Sequence, residues 1–186
     1  MTTSYAEQFN REHPGLVNED GTHPLHTKWV LWSHLPASKN NKWDLASYRK
    51  HCVLSTVEDF WNVFNAIPSL VNPDMWFLMR EGIPPIWEHE INAEGGSFKF
   101  RVPGAKLDNI WLTLSRFLVT ENMCIDPEDS LLISGISVSP KQHNFFTVNI
   151  WNMDSASTDC TQFPSNIDGI DFKMSRYHAH MQRRFG

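Results

Sequence analysis

The residues with most to offer chemistry lie in one stretch, Gly82-Ile83-Pro84-Pro85-Ile86-Trp87-Glu88-His89-Glu90. Adjacent prolines fix φ and remove two backbone donors, so the chain must pass here as a stiff loop rather than as helix or central strand. The loop displays Trp87 beside Glu88. An indole offers a flat π-surface and a carboxylate accepts two parallel hydrogen bonds, a pairing that suits a planar, electron-poor ring with two neighbouring N–H donors. Guanine has such an edge in N1–H and N2–H₂, and methylation at N7 makes its ring cationic, which strengthens both contacts. The competing reading is a tryptophan that plugs the core and a glutamate that is merely solvated, and the stretch alone leaves both open.

Other reactive side chains fall short of a catalytic set. His89 stands between Glu88 and Glu90, but no nucleophile elbow, phosphate loop or zinc-protease motif occurs anywhere in the chain. His178 and His180 share a strand face without a third ligand in pattern. Cys52, Cys124 and Cys160 are odd in number and lack metal-ligand spacing, so they read as reduced thiols in a reducing compartment. The expectation is a non-enzyme with no metal and no cofactor.

The 186 residues, 41% hydrophobic and 20% charged, suffice for a single domain with a sizeable core. No apolar run approaches the ~20 residues of a membrane span, and Met1-Thr2-Thr3-Ser4-Tyr5-Ala6-Glu7 lacks a signal-peptide pattern, so an intracellular place of action without membrane contact is expected. A net charge of -5 argues against general nucleic-acid binding, which depends on neutralising phosphates with Lys and Arg. Any nucleic acid must be held locally. Eight tryptophans exceed what a core of this size needs, and exposed indoles stack bases.

The elements that must position these residues follow from pattern. Residues 1–22 show no period and read as a mobile tail, leaving 23–186 as the domain. Lys28–His34 suits a strand with one face buried, Ser38–Lys42 is turn chemistry that delivers Trp43, and Lys50–Leu54 is a second strand. Trp43 reads equally as a ligand contact or as a lid on the core. Ser55 as cap with Glu58 three residues on predicts a helix ending before Pro68. At roughly 100° per residue Phe60, Val63, Phe64 and Ile67 face the core, while Val57 and Trp61 flank that stripe. Asp74–Arg80 reads as a buried strand, and Ser97–Val102 alternates, with Phe98 and Phe100 on one face and Lys99 and Arg101 on the other. Leu107, Ile110, Trp111, Leu114, Phe117 and Leu118 repeat helically, with Leu112 and Arg116 off the stripe. Leu131–Val138 and Phe145–Trp151 form a hairpin whose connection holds Lys141 and His143. A short helix within Asp154–Gln162, a last strand over Ile170–Met174 and a basic tail complete the chain.

The joint pattern resembles the eukaryotic translation initiation factors of the 4E type, the mRNA 5′-cap-binding proteins. The matching residues are His23-Pro24-Leu25 before Trp29-x-x-Trp32, then Trp43, Thr56-Val57-Glu58-Asp59-Phe60-Trp61, Gly82-Ile83-x-Pro85-x-Trp87-Glu88, Gly95-Gly96, Trp111 and Trp151. The resemblance implies an α+β fold: a curved antiparallel β-sheet backed on its convex face by two long helices and a shortened third helical segment, with the cap slot on the concave face. It further implies that Trp43 and Trp87 sandwich 7-methylguanine, that Glu88 and the Trp87 N–H bind its edge, and that Trp151 contacts the methyl group. On the convex face His23, Pro24, Val57, Trp61 and Leu112 would receive a scaffold or repressor protein through a helix carrying Tyr-x-x-x-x-Leu-apolar.

The chain departs from the family pattern in places that matter. Ser97 stands where the family has a basic residue after the double glycine, and the later hairpin offers Lys141 and His143 for the triphosphate, with Arg101 or the tail Arg183 and Arg184 as substitutes. Arg116 stands where an apolar residue is presented to partners, and the segment 152–169 is too short for a long third helix. The implied function is to bind the 7-methylguanosine cap of mRNA and link it to a scaffold in translation initiation; the alternative is a cap-binding repressor or storage protein. A cytoplasmic monomer outside its complex, with a nuclear fraction, goes with either.

Overall fold

The computed structural model describes residues 15–34, 43–67, 74–165, 167 and 169–181. The first fourteen residues of the expected tail, the Ser38–Lys42 turn, Pro68, Arg183 and Arg184 lie outside the described residues.

The aromatic and β-branched runs become seven strands: β1 (Pro24–His34), β2 (Tyr48–Thr56), β3 (Met75–Arg80), β4 (Gly96–Pro103), β5 (Ile133–Lys141), β6 (Phe145–Asn152) and β7 (Arg176–Ala179). They form one curved antiparallel sheet in the order β2-β1-β3-β5-β6-β4-β7. Period-2 alternation sorts its two faces. Leu31, Leu78, Phe98, Phe100, Ile136, Val148 and Ile150 point to the convex side, where they meet Leu107, Ile110, Trp111, Leu114 and Leu118 of the long helix α3 (Gly104–Val119). Phe77, Met79 and Trp151 point the other way and gather Trp32, Tyr48 and Ile83 in a smaller cluster on the concave side.

The first helix, α1 (Val57–Ala66), starts one residue later than its sequence suggests. Thr56, not Ser55, is the cap, because β2 stays paired with β1 as far as Pro24↔Thr56. The Thr56 oxygen accepts from the Asp59 N–H, and Asp59 accepts from the N–H groups of Ser55 and Thr56, so the capping box closes on Asp59 rather than Glu58. Glu58 is thereby released to accept from the backbone N–H of His23 at 2.9 Å, with the His23 ring nitrogen 2.7 Å away. These bonds hold its exposed carboxyl down to about 2.

Two short helices lie outside the sequence reading: α2 (Glu90–Glu94) and α4 (Pro127–Leu131), the latter capped by Asp126 with Pro127 at its first position. Leu131 therefore belongs to a helix rather than to the hairpin, and β5 begins at Ile133. Asp154–Gln162 holds only the 3-10 turn Cys160–Gln162, because Asp154 and Asp159 bond to the backbone N–H groups two residues on and compete with helix. Ile170–Met174 is likewise not a strand. Asp171 accepts from the Lys173 N–H, Phe172 packs edge-on to Phe100, and pairing to β4 starts only at Arg176.

The far end of α3 is tied down by Arg80. Its guanidinium meets both Glu121 oxygens at 2.7 and 2.9 Å, donates to the Ile133 carbonyl and lies 4.5 Å from the Trp29 ring. This half-buried bidentate pair locks β1, β3 and β5 to the turn after the helix.

Candidate functional site

A cleft of about 560 Å³ opens on the concave face. One wall is the Gly82–Glu88 loop. Gly82 adopts φ 86°, a left-handed turn out of β3 that glycine makes without strain. Ile83 is buried beneath the loop, and the fully buried Asn92 donates to the carbonyls of Pro84 at 2.8 Å and Ile86 at 2.9 Å. The stiffness expected from two prolines is thus completed by an amide that holds the carbonyls on either side of Pro85. Trp87 emerges 42% exposed, which removes the core-plug reading, and Glu88 stands beside it on the cleft rim.

The opposite wall carries Trp43, 48% exposed and so not a lid on the core. Its ring lies parallel to His34 with 4.5 Å between centroids and an 8° tilt, and Tyr48 closes the group by packing on both rings and edge-on to Phe77. Burial, and secondarily the charge of Glu88, push the Tyr48 phenol upward and keep it neutral.

Trp151 is 3% exposed at the cleft floor. Its indole N–H donates to the Ser137 oxygen at 2.9 Å, and Ser137 also accepts from the Asn149 amide. His180 packs against both Trp151 and Trp87, parallel to the latter at 5.6 Å. One ring nitrogen of His180 lies 2.8 Å from the Asn92 carbonyl, which can only accept, so that nitrogen carries the proton. Burial first, then the charges of His178 and Lys99, drive its pKa down to about 4 against the opposing Asn92 bond. The imidazole behind Trp87 is therefore neutral near pH 7.

Gly95 and Gly96 bring β4 against its neighbours. A Cβ on Gly95 would strike the Asn152 carbonyl, and one on Gly96 would strike the Tyr177 hydroxyl, which itself donates to Asn152. The double glycine is thus a close-approach device that seats Ser97 and Lys99 facing the cleft.

Of the residues expected at the phosphates, Lys141 lines the cleft. Arg101 shares its strand face but is exposed with its guanidinium 4.0 Å over Phe145, and His143 sits in an exposed turn at φ 60°; neither lines the cleft. The residue that the sequence reading missed is Lys99. The alternation Ser97-Phe98-Lys99 already placed it on the polar face; its neighbours across the sheet, Asn149 and then Ser137, were invisible without the register. His34 and His180 were missed as indole supports for the same reason.

On the convex face Val57 is 39% and Trp61 41% exposed, and His23 and Pro24 are exposed beside them, with the His23 carbonyl accepting from the Val57 N–H. Leu112 is half-buried against the core, whereas Arg116 is exposed. Among the described residues no group of three or more His, Cys, Asp or Glu side chains could hold a metal, and no helix is long and apolar enough to cross a membrane.

Fold and cleft together place the chain among α+β proteins that present a ligand slot on the open face of a single curved sheet. The profile of the family described as Eukaryotic initiation factor 4E matches residues 24–180, and the chain belongs to that family. Its members are initiation factors, not enzymes. Eukaryotic translation initiation factor 4E of Eremothecium gossypii is 34% identical over 161 residues, covering 83% of this chain and 71% of the relative. Eukaryotic translation initiation factor 4E-3 of Caenorhabditis elegans is 31% identical over 204 residues, covering 97% and 79%. Among solved structures, C. elegans eIF4E-3 in complex with the 4E-binding protein Mextli and a cap analog is similar with a TM-score of 0.71 and 30% identity, covering 86% of this chain and 93% of that one. Ascaris suum eIF4E-3 with an m2,2,7G cap gives 0.70 and 30%, over 86% and 92%.

Proposed function

We propose that this protein binds the 7-methylguanosine 5′ cap of mRNA in the concave cleft and links it to a scaffold protein on the convex face in translation initiation. The observation that carries the reading is the cleft itself: two half-exposed indoles, each backed by an imidazole, line it together with a carboxylate and two lysines. Trp43 and Trp87 sandwich the cationic base, Glu88 and the Trp87 N–H take its N1–H and N2–H₂ edge, and Trp151 meets the methyl group. Lys141 serves the phosphates, with Arg101 and His143 farther along the strip. His23, Pro24, Val57, Trp61, Leu112 and Arg116 receive the partner helix, and an acid on that helix would answer Arg116. The relatives are named as initiation factors, which favours linkage over the repressor or storage alternative. Residues 23–186 form the binding domain after a 1–22 tail, acting as a cytoplasmic monomer outside its complex, with a nuclear fraction as the finer expectation.

The test is tryptophan fluorescence during titration with 7-methyl-GTP and with GTP. Cation–π contacts are worth ~0.5–2 kcal/mol each, so two of them should separate the ligands by about tenfold or more. Glu88→Gln keeps the shape but opposes a guanine N–H with a donor, and should lose about tenfold or more, as for a hydrogen bond to a charged group. Equal affinity for the two ligands overturns the reading.

A further inference from the structure

The indole assigned to stack a cationic base already carries a cation. Lys99 places its ammonium 5.4 Å from the Trp87 ring centroid. Of the other basic groups around that ring, His180 is held neutral and the exposed His178 lies 5.7 Å away. It is half-buried in the cleft, and no carboxylate pairs with it among the described residues. Burial, then repulsion from Lys141, lowers its pKa, as for a cation short of counter-charge. Lys99 lies two residues beyond Ser97 on the same face of β4, about 7 Å along the strand from the position where the family pattern expects its basic residue.

A cation near an indole draws on the same π-cloud that a second cation would use, and the two repel on whichever faces they sit. A ligand that brought only the cationic base would have to share Trp87 with Lys99. One that also brought phosphate would offer the ammonium a stronger partner and free the ring. We propose that Lys99 couples phosphate recognition to base stacking: the 5′-phosphate chain draws it off Trp87, so that phosphate strengthens the indole–base contact as well as adding its own. This rests on the cap reading above and assigns a specificity role to a residue outside the family pattern.

The experiment titrates the parent, Lys99→Met and Lys99→Arg with 7-methylguanosine, 7-methyl-GMP and 7-methyl-GTP, following tryptophan emission and heat. Met keeps the aliphatic stem and removes the charge; should it fail to fold, Lys99→Gln makes the same comparison. The parent should gain steeply with the first phosphate. Lys99→Met should bind the nucleoside as tightly as the parent or more so, and 7-methyl-GTP about tenfold more weakly, the order expected for one charge-assisted contact. Lys99→Arg should restore most of that loss. Inorganic triphosphate alone should change the emission of the parent but not of Lys99→Met, a readout independent of base recognition. Equal losses for nucleoside and triphosphate in Lys99→Met, or no loss for the triphosphate, overturn the coupling while leaving the cap reading intact. Failure of the parent to bind any of the three 7-methylguanine ligands overturns the cap reading and the coupling with it.

Discussion

Trp87 stands on a loop pinned by buried hydrogen bonds, whereas Trp43 leans on stacked rings. Behind Trp87, the Asn92 side chain gives both amide hydrogens to loop carbonyls while its backbone carbonyl receives His180, so one residue secures the loop and the imidazole beneath it. Behind Trp43 the described contacts are aromatic: His34 parallel, Tyr48 tilted, Phe77 beyond. Hydrogen bonds are directional and expensive to break when buried, while stacking tolerates small displacements. In the proposed cap complex Glu88 would meet two ring donors at fixed distances, and its wall is the hydrogen-bonded one. Trp43 would only have to cover a flat ring there, and its wall is the stacked one.

Three measurements break or sharpen this contrast. The largest effect should come from Asn92→Ala, which strands the buried carbonyls of Pro84 and Ile86 while leaving His180 its bond to the backbone; at ~1–3 kcal/mol per buried group left unpaired, chemical denaturation should register a loss of about 2 kcal/mol or more. Unchanged stability would mean that the prolines alone hold the loop. Acid should act next, and chiefly on the Trp87 wall. The folded pKa of His180 is depressed to about 4 from an ordinary 6.5, so its contribution to stability is complete above pH 6.5 and is lost as pH falls through that window toward 4. His51, also lowered by burial, adds to the slope, while the contribution of Glu58, held down to about 2 from an ordinary 4.5, is lost as pH falls from 4.5 toward 2 and so reaches only the acid end of that window. His180→Asn should flatten the slope of stability against pH between 6.5 and 4, and an undiminished slope assigns it elsewhere. The smallest effect belongs to His34→Ala, expected to weaken 7-methyl-GTP binding by ~0.5–1.5 kcal/mol, the worth of one aromatic pair, with restoration by His34→Phe. A stability loss as large as that of Asn92→Ala would erase the difference between the walls.

The Trp87-Glu88 pair was legible because its chemistry and its rigidity are local: the prolines and Gly82 act on the backbone where they stand. The long helices were legible from apolar spacing, since Leu107 to Leu118 can bury a stripe in only one way. The last strand was misplaced for the opposite reason. Phe172 looks like strand by composition, but Asp171 turns the chain there, and Arg176–Ala179 becomes a strand only because β4 offers it an edge. The start of α1 shifted because the reach of β2 along β1 chose Thr56 over Ser55, a choice made by a partner 32 residues away in the chain.

The sequence by itself determined that the chain folds around an aromatic-rich α+β core and that Trp87 and Glu88 stand together on a stiff loop, because residue type and short-range spacing carry that information. Only the tertiary structure decided which cation reaches the cleft and what stands behind each indole. Lys99, Arg101, Lys141 and His143 are equivalent as basic residues in sequence. Register across β4, β6 and β5 turns Lys99 and Lys141 inward and leaves Arg101 over Phe145. His180 comes under Trp87 by the pairing of β7 with β4, a contact between residues 93 positions apart that no local pattern encodes.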